Sequence, residues 1–265
     1  MAQVSGGLGI TGSMGNFSIY RMRGSDKLVL RQKGGASKQR IKKDPNFEQT
    51  RMNNNEWAGS ALMARIMNNG LFAVKHLADH GYFGKLTAVC KAIQSDDGEN
   101  QKGKRAVRLS QSPYKLEGFG YNKYNPFDTV LRHPLQYAVD RNAGKAVVQL
   151  PEIVPGLNLR NPLTQPFCRF VFVLAAVADM VYSEGGKCYI PVSDRQYQTA
   201  VQHTEWCPAK EKQQPQELTL QIGNWQPEEG VSLVLAVGVE FGQPLGGGEI
   251  RFTKYGGAAK VLRVV

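Results

Sequence analysis

Two patterns of apolar positions divide this chain. Near the start, two short stretches alternate apolar and polar residues, at 17–22 and, less strictly, at 27–32, with Arg23-Gly-Ser-Asp26 supplying turn chemistry between them. They predict a β-hairpin that ends at Gly34-Gly35. The period then changes. Asp44-Pro45 reads as an N-cap with proline in the first helical turn. From there Phe47, Trp57, Ala58, Ala61, Leu62, Ile66 and Met67 recur three and four apart, up to a stop at Asn68-Asn69-Gly70. This predicts an amphipathic helix with Trp57, Leu62 and Ile66 in the core. Shorter helices are predicted at 71–78 and at 85–94, where Leu86, Val89, Cys90 and Ile93 are in register.

From residue 105 onward the pattern is that of strands separated by Gly/Pro turns. Strands are expected at 105–109, 114–119, 135–139, 145–150, 218–222, 231–241, 249–253 and 260–265. Residues 167–182 and 187–192, joined by Ser183-Glu-Gly-Gly186, read as a hairpin. The fold class expected is α+β: an N-terminal β-hairpin arm with short helices over residues 1–104, then a mostly antiparallel β-sandwich body over residues 105–265. No internal repeat is visible.

Charge adds a second asymmetry. The 265 residues carry 33 Lys+Arg and 22 Asp+Glu, a net +11. Residues 1–145 hold 23 cations against 11 acids, and residues 146–265 hold 10 against 11. The excess is densest in Arg21, Arg23, Lys27, Arg31, Lys33, Lys38, Arg40, Lys42 and Lys43, which face a single acid, Asp26. Such an arm attracts a nucleic acid, an anionic surface or the acidic face of another subunit.

Candidate chemistry is sparse. Gly7-Leu-Gly-Ile-Thr-Gly12 matches G-x-G-x-x-G, but only six residues precede it and a strand follows, so the strand–turn–helix context of a dinucleotide site is missing. Gly246-Gly-Gly248 lacks the Lys-Ser/Thr of a phosphate loop. His76 and His80 are four apart with no third metal ligand in view, and read as surface or capping residues. There is no Gly-x-Ser-x-Gly, His133 and His203 are isolated, and the carboxylates are scattered. The expectation is therefore a non-enzymatic protein with no catalytic residues, no cofactor and no metal site. Cys90, Cys168, Cys188 and Cys207 are widely spaced and are expected as reduced, mostly buried thiols. The first residues lack a basic region followed by an apolar run, and the longest apolar run is too short to span a bilayer. A cytoplasmic protein, free or within a released particle, is expected.

The stretches Gly15-Asn-Phe-Ser-Ile-Tyr-Arg-Met-Arg-Gly-Ser-Asp-Lys27, Lys33-Gly-Gly-Ala-Ser-Lys38 and Pro45-Asn-Phe-Glu-Gln-Thr-Arg-Met-Asn-Asn-Asn-Glu-Trp57 resemble the N-terminus of an uncharacterised protein family widespread in Bacteroidota. The C-terminal part of that family resembles residues 233–241, the glycine turn and the last strand. The resemblance covers about the first quarter and last sixth of the chain. It implies a bacterial source and no known activity, cofactor or catalytic residue.

Three function classes follow. The first is a self-assembling structural subunit of a filament, tube or phage-tail-like particle. Its partner is the chain itself, with the basic arm meeting acids such as Glu205, Glu211, Glu217, Glu228, Glu229 and Glu240 of the next copy. The second is a nucleic-acid-binding protein using the hairpin, although Phe17 and Tyr20 read as inward-packing strand residues. The third is an interaction or carbohydrate-binding β-module displaying Trp206 and Trp225.

Overall fold

The structure is a computed structural model that describes residues 2–4, 10–22 and 25–265. Much of the Gly7–Gly12 stretch, and Arg23 of the arm, lie outside the described residues. The chain divides into two compact units, Met1–Asn53 and Asn54–Val265.

The first unit is a four-stranded antiparallel sheet and a short helix. Strands β1 (Ala2–Val4), β2 (Gly12–Met14), β3 (Phe17–Arg21) and β4 (Leu28–Gln32) are ordered β1-β4-β3-β2. β3 and β4 are the expected hairpin, with Tyr20 opposite Val29 and Ser18 opposite Arg31. The two outer strands have three residues each, too few to carry a period. Helix α1 (Lys38–Lys43) starts at Ser37, whose hydroxyl accepts from the Arg40 N–H at 3.2 Å. Arg51 donates to the carbonyls of Ile41 (2.8 Å) and Asp44 (2.9 Å), satisfying acceptors at the helix end. Asp44 then caps a 3-10 turn, Pro45–Phe47, by accepting from the Asn46 N–H at 3.0 Å. That turn leads directly into α2 (Glu48–Gly70).

The second unit begins within α2 and continues through α3 (Phe72–Lys75), α4 (Tyr82–Ser95) and α5 (Phe127–Val130). Its strands are β5 (Gln136–Asp140), β6 (Lys145–Leu150), β7 (Phe167–Ala178), β8 (Met180–Ser183), β9 (Cys188–Pro191), β10 (Thr199–His203), β11 (Cys207–Pro208), β12 (Gln216–Gln221), β13 (Val231–Gly246), β14 (Glu249–Phe252) and β15 (Ala258–Val264). A six-stranded sheet runs β10-β7-β13-β14, with β11 also on β7 and β15 also on β13. A second sheet runs β12-β6-β5, and β8-β9 form a hairpin.

β7 and β13 are central and covered on both sides, which is why they read as apolar runs and not as alternations. Phe170, Phe172, Leu174 and Ala176 of β7, with Leu233, Leu235, Val237 and Phe241 of β13, pack on Ala146 and Val148 of β6 and Leu218 and Leu220 of β12. The opposite face, Val171, Val173, Ala175 and Val177 with Val234 and Ala236, packs under Met63, Met67, Val74, Leu77, Leu86 and Ile93 of the helical segment. The helices sit close: a Cβ on Gly238 would come within 2.5 Å of Leu77 Cδ1.

The helical region therefore belongs with the sheets, not with the arm. Each of those six side chains, fully buried, contributes about 1.5–3 kcal/mol. That is why the boundary falls at 53/54 and not at the expected 104/105.

Three further expectations need correction. Residues 105–109 contribute only a bridge, Val107 to Met180, and 114–119 is turn, opened by the 3-10 segment Pro113–Lys115. Residues 167–182 are not one strand, because Asp179 separates β7 from β8. Its buried carboxylate accepts from Ser110 and its N–H donates to the Gly230 carbonyl at 2.7 Å. Trp57 is 52% exposed, not core; Ile66 is buried and Leu62 is half-buried. The core face of α2 runs through Glu56, Ser60, Met63 and Met67. Two polar residues lie on it, so hydropathy alone swings the apparent stripe around the helix toward Trp57.

Candidate functional site

Basic side chains of the first unit fall on two elements. Arg21 ends β3, Lys27 precedes β4, Arg31 lies on β4 and Lys33 follows it; Lys38, Arg40, Lys42 and Lys43 are on or bound α1. Arg21 pairs with Asp26 at 3.3 Å. Arg40 pairs with Asp44 at 3.1 Å and rests 5.7 Å from the Phe47 ring. Lys33 donates to the Gly15 carbonyl at 3.1 Å. Among the described residues, no carboxylate lies within 4.0 Å of Lys27, Arg31, Lys33, Lys38, Lys42 or Lys43. The structure thus does not gather all the cations. It brings Arg31 and Lys33 together with Ser18, Tyr20, Gln32 and Gly34 around a shallow hollow of about 260 Å³.

This unit also shows apolar surface. Ile10, Met14, Phe17, Tyr20 and Met22 are all exposed, the two aromatics at 42% each. Phe17 and Tyr20 are therefore not inward-packing. Among the described residues of the unit, only Leu28 and Val29 are buried apolar side chains.

A second arrangement, not visible in the sequence as a site, crosses the large sheet. On the face covered by helices, the apolar rows give way to a polar row: His203 of β10 beside Val171, Arg169 of β7 opposite Glu240 of β13, and Phe252 of β14 opposite Gly242. His76, at the end of α3, reaches it from the helical layer. Glu240 is 1% exposed. Arg169 Nε donates to its Oε2, and His76 Nε2 lies 2.7 Å from Oε1.

Arg169 lies 4.5 Å from the Trp206 ring centre, and the His76 and Phe252 rings are 4.4 Å apart. Burial alone would raise the Glu240 pKa. The His76 and Arg169 contacts outweigh it and hold the carboxyl below the usual value. His203 keeps an exposed edge. Partial burial of its ring, and then Arg169 nearby, lower its pKa. Phe252 also lines a cleft of about 350 Å³ with Gln243, Arg251, Thr253 and Lys254.

Glu240 is thus not a surface acid able to receive a basic arm. Glu228 is engaged by Arg195 at 3.0 Å and Glu217 by Gln149. Glu205, Glu211 and Glu229 are exposed. His76 and His80 do not share a helix face: α3 ends at Lys75, and His80 lies 4.7 Å from the Tyr255 ring. Among the described residues, no three His, Cys, Asp or Glu side chains are placed to hold a metal ion. Trp225 donates to the Arg141 carbonyl at 2.7 Å, so both tryptophans considered for a sugar site are held by protein contacts.

One further buried carboxylate is structural. Glu56 of α2 accepts from Gly103 N–H (2.9 Å), Arg105 (2.6 and 2.8 Å) and Lys91 (2.5 Å). Burial opposes its ionisation, yet the Arg105 and Lys91 contacts and the Gly103 N–H bring its pKa down to about 2. No helix is long and apolar enough to cross a membrane among the described residues. Comparison with protein-family models, with curated proteins and with solved structures finds no match for this chain.

Proposed function

We propose that this protein is a non-enzymatic structural subunit that associates with further copies of itself through its basic N-terminal unit. One observation carries the reading. The first unit buries two apolar side chains among its described residues while exposing Ile10, Met14, Phe17, Tyr20 and Met22 beside six cations without acid partners. A sheet with so little core is marginal alone. Its apolar surface calls for a protein partner, and its charge calls for an acidic one. Glu205, Glu211 and Glu229 of a second copy meet the second requirement. Head-to-tail contact of this kind yields a ring, or an open polymer where the rotation does not close.

Negative-stain microscopy of the full chain at low and high salt tests this. Regular polymers that loosen with salt are expected, because exposed ion pairs are screened over about 8–10 Å. Monodisperse single copies under both conditions contradict it.

A second reading is supported by the hollow where the half-exposed Tyr20 ring meets Arg31 and Lys33. A ring flanked by cations is a stacking platform for single-stranded nucleic acid. Monodisperse protein that shifts an oligonucleotide in a gel, and loses the shift in Tyr20→Ala, moves the assignment to that class.

A further inference from the structure

The four cysteines are all free, and their surroundings differ. Cys90 is enclosed in the helical core with Met67 Sδ 3.9 Å away, and Cys188 is exposed on the β8–β9 hairpin. Cys168 and Cys207 stand in a different relation: they are register partners, directly opposite one another on β7 and β11. Two residues along the same ladder, the Ala209 N–H donates to the Pro166 carbonyl at 2.8 Å. Hydrogen-bonded pairs recur every second residue, so Cys168 and Cys207 occupy such a pair. Their Cα atoms are then about 5.5 Å apart. Disulfides span about 4.4–6.8 Å between Cα atoms, most often about 5.5–6 Å. Both side chains project to the same face of the ladder, where opposed Cβ atoms lie about 4.5–5.5 Å apart. A disulfide needs about 3.5–4.5 Å, so the two-residue strand β11 must close on β7 by about 1 Å for the bond to form.

We propose that Cys168 and Cys207 are an oxidative modification site, at which a hydroperoxide joins them in a disulfide that fastens β11 to β7. Cys207 is half-buried and Cys168 is fully enclosed, which sets the order of events. The Cys207 thiolate attacks the peroxide oxygen. The O–O bond breaks, Cys207 becomes a sulfenic acid, and one water (from hydrogen peroxide) leaves. The Cys168 sulfur then attacks the Cys207 sulfur and expels its hydroxyl, which departs as a second water with the Cys168 proton. Two thiol hydrogens and two electrons have passed to one peroxide.

The surroundings make this a slow bond to form. Burial, then Glu205 and Glu211, raise the Cys207 pKa, and burial pushes Cys168 up to about 11 against the Gln213 N–H that reaches its sulfur at 3.2 Å. Formation therefore accelerates as pH rises. The bond fixes the residue next to Trp206, whose ring lies over Arg169, itself next to Cys168.

The test is hydrogen peroxide treatment of the full-length protein at pH 7 and pH 9, alkylation of remaining thiols under denaturing conditions, and peptide mapping without reductant. A peptide linking Cys168 to Cys207 is expected within single chains, forming faster at pH 9. Free thiols fall from four to two, and dithiothreitol restores them. Cys188→Ser retains the cross-link and Cys207→Ser loses it. Recovery of Cys207 as sulfinic acid with Cys168 alkylated, or cross-links confined to Cys188, overturns the proposal. So does a bond that forms only after denaturant is added.

Discussion

Arg169 and Glu240 face each other across the two longest strands of the protein, as direct register partners in β7 and β13. Each is the sole charged residue in its strand. The Glu240 carboxylate is closed on its other side by His76. A buried pair of this kind costs desolvation that its mutual attraction only partly offsets, so its removal and its breakage have different consequences. Arg169→Met alone leaves the Glu240 charge with a single partner and is expected to cost about 3–5 kcal/mol. Arg169→Met with Glu240→Leu is expected to cost much less than the sum of the two single changes. Urea denaturation of the four proteins in a double-mutant cycle measures the coupling.

The same row gives a pH dependence. Glu240 titrates below the ordinary carboxylate value in the folded state. Its contribution is present above about pH 4.5 and is lost as pH falls through the folded value. His203 is also depressed, so folding disfavours its protonation, and the stability this brings is present above about pH 6.5 and declines below it. Stability measured from pH 7 to pH 5 is expected to fall less steeply in His203→Gln than in the parent chain.

Glu56 acts in a lower window. Its folded pKa of about 2 against 4.5 corresponds to a contribution on the order of 3 kcal/mol, complete above about pH 5 and lost toward pH 2. Glu56→Gln is expected to lower stability at pH 7 and to flatten the acid limb. An unchanged limb in chemical denaturation across pH 2–5 would contradict the assigned network.

Trp57 sits on the solvent side of α2, so Trp57→Ala is expected to change stability by no more than about 0.5 kcal/mol. Met67→Ala, on the core face of the same helix, is expected to cost about 2–5 kcal/mol. The pair of denaturation curves separates the exposed stripe from the core stripe directly.

Much of this architecture is legible in the sequence wherever one local signal suffices. Asp44-Pro45 marks the helix entry, and 145–150 alternates as a half-buried strand does. Only tertiary contact separates the helical layer from the arm: the continuous apolar runs of β7 and β13 require cover on both faces, and α2 to α4 supply one side of it. The apolar stripe points to Trp57 because Glu56 and Ser60, which face the core in its place, are buried by partners remote in sequence, Arg105 and Gln94. The polar row joins residues 76, 169, 203 and 240, which no spacing rule connects. Its one sequence signal is the lone charge inside each long apolar run. The cationic arm was visible as composition, but its division between a sheet and α1, and the exposure of Phe17 and Tyr20, follow from how few residues the first unit can bury.

Sedimentation velocity of the full chain over a range of protein and salt concentrations, beside Arg31→Glu/Lys33→Glu and Lys42→Glu/Lys43→Glu variants, addresses the central claim most directly. The account predicts sedimentation that rises with protein concentration, weakens with added salt, and reverts to a single-copy value in the charge-reversed variants while their circular dichroism stays native. A full chain that sediments as one copy at every concentration, or variants that associate as the parent does, would contradict it.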